Sequence, residues 1–355
     1  MPRLPLAVHR LAIAGSAAAS FALASCSEAP SSPSREIAPG QSSLNQSPEL
    51  ADATGRHVFH TKEWFQNDNA QNPNGNGKPS GVGGGGGTGI SYHGGPVLLT
   101  GTNVAAVYWG GSTIFNGGPP PGTNGAGAQD GSLVGHFLRN LGGSPYFNIN
   151  STYTNGTAHI ANSVTYTQYW ANPSSPNASN VTDADMVNML QSGFTTGKLT
   201  YDASTVYAIF TASGVNLGGG FSSTSLKYCA YHTHGTVTIG GVAKTVLYAA
   251  MPYDYQFPGS CTGSTSATTA NGDPAADYEV NTLAHEIEET TTDMLGTAWW
   301  DNRGYENADK CAWNFGTTYT STSGAKVNMN IGGKDFLVQQ NWVNAGSGGC
   351  KLAYP

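Results

Sequence analysis

The chain has 355 residues, room for one large domain or two ordinary ones, and only 10% of them are charged while glycine contributes 48. A net charge of -7 gives no basis for nucleic-acid binding, which needs a clustered basic surface. Low charge with abundant Gly, Ser, Thr and Asn suits an extracytoplasmic protein.

Arg3 and Arg10 flank an apolar run, LAIAGSAAASFALA, which is too short to span a bilayer as a mature helix. It ends in Leu23-Ala24-Ser25-Cys26, which resembles a bacterial lipoprotein processing site. Residues 1–26 are therefore read as a signal peptide with lipidation at Cys26; the alternative is an ordinary signal peptide cut nearby. Either way export is expected, with membrane contact only through an N-terminal lipid anchor. Residues 27–89 read as a flexible low-complexity tether, interrupted near Arg56 to Phe65 by a mixed stretch with His57, His60 and Trp64. Both histidines could bind metal, but in that setting they are expected to be solvated, and the folded region is expected to run from about Ile90 to residue 355.

Strands are predicted at Pro96 to Thr100 and at Asn103 to Gly110, followed by a helix over Ser132 to Leu141 that contains a structural His136. Further strands are predicted at His159 to Ala161 and Ser163 to Trp170. Thr182 is placed to cap a helix over Asp183 to Gln191, closed by Gly193. Thr205 to Ala212 and Thr245 to Met251 are apolar enough for central strands, and Leu226 to His234 alternates. The last predicted strand is Asp335 to Trp342. Four cysteines remain beyond Cys26, and in an exported chain they suggest two disulfides. Cys229–Cys261 and Cys311–Cys350 are the favoured pairs, since each joins cysteines close in sequence.

The stretch Tyr278 to Asp293, YEVNTLAHEIEETTTD, carries the chemistry. Val280, Leu283, Ala284, Ile287 and Met294 recur at helical spacing and form one stripe. At about 100° per residue, His285, Glu286 and Glu289 fall on the opposite side. His285 and Glu289 are one turn apart and can reach a single cation, with Glu286 beside them to take a proton from water. A solvated acidic helix face is the competing reading of the same residues. Glu306 is the predicted third ligand, and Asp309 is placed to hydrogen-bond His285. Zinc is the expected metal, and the oxygen-rich ligand set leaves manganese or calcium open. His232 and His234 alternate on their strand and share a face, as substrate-binding groups, competing metal ligands or a structural pair. Trp299, Trp300 and Trp313 raise the alternative of a sugar-stacking platform.

Two resemblances follow from these residues. The His-Glu-x-x-Glu spacing and the order of elements look like those of zincin metallopeptidases, and Glu306 resembles the second-helix glutamate of their gluzincin branch. The fold this implies is α+β, a zincin-like mixed sheet with a metal-site helix and an irregular C-terminal region. From Tyr92 onward the chain also resembles the EXORDIUM, or phosphate-induced, family of secreted plant proteins and their bacterial relatives. YHGGPVLLTG, NVAAVYWGG, YCAYHTHG, VNTLAHEIEE, ENADKC and FLVQQNW carry that likeness. The lipoprotein-like leader, the Gly/Asn-rich tether and the HTH extension after Cys229 depart from the family pattern. What the resemblances imply is an exported metal-dependent hydrolase acting on a peptide or cell-wall substrate. The alternative is a non-catalytic surface or wall protein with a structural metal or acidic cluster, possessing carbohydrate-binding aromatics or not.

Overall fold

The computed structural model describes residues 55–71 and 89–355. The expected leader, Cys26 and most of the tether lie outside the described residues. In chain order the elements are β1 (His57–His60), α1 (Lys62–Gln71), β2 (Ser91–Tyr92), β3 (Thr102–Trp109), β4 (Asn124–Ala126) and α2 (Leu133–Leu141). Next come β5 (Val164–Asn172), α3 (Asp183–Thr195), β6 (Thr205–Thr211), β7 (Phe221–Ser222), β8 (Ser225–Leu226) and β9 (Tyr228–Ile239). β10 (Val242–Met251), α4 (Pro274–Thr292) and β11 (Trp299–Trp300) follow, and short two-stranded hairpins occupy much of the rest of the chain.

The fold is α+β around a seven-stranded mixed sheet, in the order β1-β9-β10-β6-β3-β5-β4. β10, β6, β3 and β5 run parallel, whereas β9 lies antiparallel to β10, β1 antiparallel to β9, and β4 antiparallel to β5. The apolar runs explain the centre: every residue of β6 is buried, as a parallel strand covered on both faces requires. Ala208 and Phe210 face α2 and α4, while Tyr207 and Ile209 face α3. Ser132 caps α2 by accepting from the Gly135 N–H at 3.0 Å, and Thr182 forms a capping box with Asp185 at the start of α3. No helix among the described residues is long and apolar enough to cross a membrane.

Several expectations change. The folded region does not begin at Ile90, because β1 pairs with β9 and places His57 opposite His232. The outer side of β9 is therefore covered by β1. Pro96 to Thr100 is not a strand: Leu98 sends its N–H to the Thr291 carbonyl at the end of α4. Gly193 does not close α3, which continues to Thr195. There the missing side chain makes room, since a Cβ would come within 2.8 Å of Leu199 and 2.9 Å of Trp170. The predicted strand at Asp335 to Trp342 is two short ones, Lys334–Phe336 and Asn341–Val343, with Gln339 in the irregular span between them. His136 lies on α2 within hydrogen-bond reach of the Ile331 carbonyl, at 3.3 Å.

The central helix starts where Asp273 caps it and Pro274 occupies its first turn. Val280, Leu283, Ala284 and Ile287 join the core with Leu247 and Met251 of β10 and Leu138 of α2. Burying each such aliphatic side chain contributes about 1.5–3 kcal/mol. Met294 is buried too, but beyond the helix end. The opposite face is not solvated. Every residue from Ala275 to Thr292 is buried, so the polar side is enclosed by protein.

Candidate metal centre

Four parts of the chain converge on that enclosed face. α4 brings His285, Glu286 and Glu289, β9 brings His232, β1 brings His57, and the segment after β11 brings Glu306 and Asp309. None of these seven residues is more than 4% exposed. The Cys229–Cys261 disulfide fastens β9 just before His232, and Cys311–Cys350 fastens the turn that follows Glu306 and Asp309. Two disulfides fit folding in an oxidising compartment.

The side chains form three overlapping groups with metal-ligand spacing: His57, His232 and Glu306; His232, Glu286 and Glu289; and His285, Glu289 and Asp309. Helical spacing sets His285 Nε2 3.0 Å from Glu289 Oε1, and Asp309 Oδ1 lies 3.5 Å from the same nitrogen. Glu306, expected beside His285 and Glu289, instead sits with the strand histidines: its Oε2 is 3.1 Å from His57 Nδ1 and 3.6 Å from His232 Nε2. His232 Nδ1 faces Glu286 Oε2 at 3.2 Å and Glu289 Oε2 at 3.6 Å. His232 thus links the helix carboxylates to Glu306.

The surroundings hold this geometry. The Asp309 N–H donates to Glu289 Oε1 at 2.9 Å, tying the loop to α4. Phe59, two residues past His57, stacks on the His285 ring with centroids 3.9 Å apart. Gln339 Nε2 lies 3.1 Å from His285 Nδ1 and donates to the Ala308 carbonyl at 2.9 Å, while its Oε1 accepts from the Trp313 N–H at 3.3 Å. Trp313 itself holds φ at 58°, a left-handed conformation that costs a bulky residue energy and here aims its N–H at Gln339. Asp293, at the end of α4, accepts from the N–H groups of Thr297, Ala298 and Trp299 and closes the turn beneath His57.

Electrostatically the centre is a dry pool of negative charge. Burial, reinforced by neighbouring carboxylates, raises the Glu306 carboxyl well above its usual range. Glu286 is raised well above it as well, by burial first and then by Glu289 and Asp309 against the opposing pull of His285. Glu289 is pushed up to about 7 by burial and Asp309, and Asp293 to about 7 by burial. Burial and the other histidines hold His232 well below the ordinary imidazole value, so it stays neutral. Burial works against a proton on His285 while Glu289, Asp309 and Glu286 raise its affinity for one, and the Gln339 N–H facing Nδ1 restricts that proton to Nε2. Among the described residues, each ion pair these carboxylates make is to a histidine. Buried oxygens of Glu286, Glu289, Glu306 and Asp309 also have no hydrogen-bond partner. Unpaired anionic groups in a low dielectric call for protons or a cation, and this donor set fits a divalent ion.

The remaining expectations divide. His234 is half-buried and lines a pocket with Asp183, Asn188 and Tyr248. Trp299 and Trp300 are buried, and half-buried Trp313 stacks on Phe59 under Lys62, so the three rings form no exposed platform. His57 was expected to be solvated and is 3% exposed. The available signal was the alternation in HVFH, which puts His57 and Phe59 on one face of a strand. Gln339 stands within the FLVQQNW motif, but nothing in that motif marks a role at the site. Compared with family models, curated proteins and solved structures, the chain matches none of them.

Proposed function

We propose that this protein is an exported, metal-dependent hydrolase with a zincin-like centre, related to the EXORDIUM-like proteins its motifs resemble and anchored through lipidated Cys26. Peptide bonds are the substrate class, at the cell surface or in the periplasm. One observation carries the reading: carboxylates and imidazoles from four separate stretches of chain meet out of solvent, with histidine as the countercharge in their ion pairs among the described residues. When bound, a divalent cation (zinc first, manganese or calcium with so many oxygen donors) supplies Lewis-acid polarisation and lowers the pKa of water. Glu286 is the residue that holds and passes the proton. Its Oε2 faces His232 Nδ1, and its Oε1 has no hydrogen-bond partner. Burial raises its affinity for a proton, as a general base working near neutral pH requires.

The test is elemental analysis of purified full-length protein, followed by turnover of a peptide library. Stoichiometric divalent metal is expected. Glu286→Gln should retain it and lose at least about 100-fold in rate, the usual share of a general base. Protein that binds no divalent ion would end the reading.

The closure of the centre favours a second reading. Structural metal sites are sealed, whereas catalytic ones keep an open position. A non-catalytic surface protein, its cation stitching β1, β9 and α4 together, would melt at lower temperature on chelation, show no turnover and be indifferent to Glu286→Gln.

A further inference from the structure

We propose that His57, His232 and Glu306 are the ligands of the cation, and that His285, the histidine of the helix motif, stands beside them with its proton on the nitrogen that faces the carboxylates. This rests on the metal-dependent reading above. It moves the ion off the motif helix and makes the N-terminal strand β1 part of the centre.

The assignment follows from donor and acceptor accounting. Gln339 is oriented by two backbone groups: its amide nitrogen donates to the Ala308 carbonyl at 2.9 Å and its oxygen accepts from the Trp313 N–H at 3.3 Å. The nitrogen's second hydrogen points to His285 Nδ1, 3.1 Å away, so that ring nitrogen is the acceptor. The His285 proton then sits on Nε2, which lies 3.0 Å from Glu289 Oε1 and 3.5 Å from Asp309 Oδ1 without being aligned for a hydrogen bond to either. A nitrogen carrying a proton has no lone pair to give a metal.

His232 has the opposite arrangement. Its Nδ1 pairs with Glu286 Oε2 at 3.2 Å, which leaves Nε2 for another partner. Nε2 is buried without a hydrogen-bond partner and faces Glu306. A carboxylate behind one imidazole nitrogen and a lone pair on the other is the arrangement that orients metal-binding histidines. Apart from the neighbouring Asp293 carboxyl, neither carboxylate oxygen of Glu306 has a hydrogen-bond partner, although the residue is wholly buried. Its Oε2 stands 3.1 Å from His57 Nδ1 and 3.6 Å from His232 Nε2. Ligands about 2.0–2.1 Å from a tetrahedral ion lie roughly 3.3–3.4 Å from one another, so these gaps suit one cation. His57 and His232 are also direct partners across the β1–β9 ladder, with rings stacked at 5.0 Å. Strand pairing thereby sets the two imidazoles side by side.

The experiment uses full-length protein, stripped with chelator and reloaded with Zn2+. X-ray absorption of the loaded wild type should count two imidazole ligands; a count of one overturns the assignment and leaves the hydrolase reading standing. Failure to bind zinc at all overturns that reading and this assignment with it. By competition with a chromophoric chelator, His57→Ala, His232→Ala and Glu306→Gln should each weaken zinc binding at least 100-fold. His285→Asn should change it less than 10-fold. Loss of zinc from His285→Asn with retention by His57→Ala would also sink the proposal.

Discussion

The imidazole of His57 lies directly against Gly296: a Cβ at that position would come within 2.1 Å of Nε2, and the glycine holds φ at 66°. The turn after α4 is thus shaped to the strand that covers it. Gly296→Ala should destabilise the protein by at least about 2 kcal/mol, from backbone strain and from the collision together. In a His57→Ala background the collision is gone and the strain remains, so the cost should fall but not vanish. Urea denaturation of the four proteins in that cycle measures the difference, and strict additivity would show that the two residues do not touch.

The segment carrying β1 is part of the core through Phe59, which is fully buried between the rings of His285 and Trp313. Phe59→Ala should cost about 3–5 kcal/mol, as loss of a buried aromatic does. A change below about 1 kcal/mol in the denaturation free energy would mean that this strand does not pack where it is seen.

Asp254 and Glu279 form a second buried acid pair, one helical turn from Glu286 through Thr282. Thr282 donates to Asp254 Oδ2 at 2.5 Å, and the Asp254 N–H donates to Glu279 Oε2 at 3.3 Å. Burial holds both carboxyls well above their ordinary values. The folded protein keeps protons that the unfolded chain releases above about pH 4–5. Their stabilising contribution is therefore complete below that range and is lost as pH rises toward the folded-state values. Glu279→Gln should accordingly be more stable than wild type at pH 8 and lose that advantage at pH 4. Denaturation midpoints at the two pH values test the sign.

Cys311 and Cys350 close a span of 39 residues behind the turn that carries Glu306 and Asp309. Replacing both with Ser should cost about 2–4 kcal/mol. It should also speed the loss of bound metal to a chelator, because the loop loses its anchor. Unchanged metal release alongside reduced stability would separate the loop's fastening from the site's.

Much of the scaffold was legible because its signals are local. Unbroken apolar runs marked β6 and β10, Thr182 marked the start of α3, and helical periodicity marked α4. The favoured cysteine pairs are the ones formed. The spacing of His285 and Glu289 likewise put them within 3.0 Å of each other.

Where the polar side of α4 points was not a local matter. Periodicity separates two faces of a helix, yet both are buried here, because β1 and the segment after β11 cover the side that a lone helix would offer to water. His57 stands near the start of the described chain and Glu306 far along it, and strand pairing and a disulfide-held loop bring them to 3.1 Å. The residues alone determined which helix carries the chemistry and which elements surround it. Tertiary packing decided which side chains share the buried gap, since hydrogen-bond direction and desolvation depend on neighbours that no periodicity encodes.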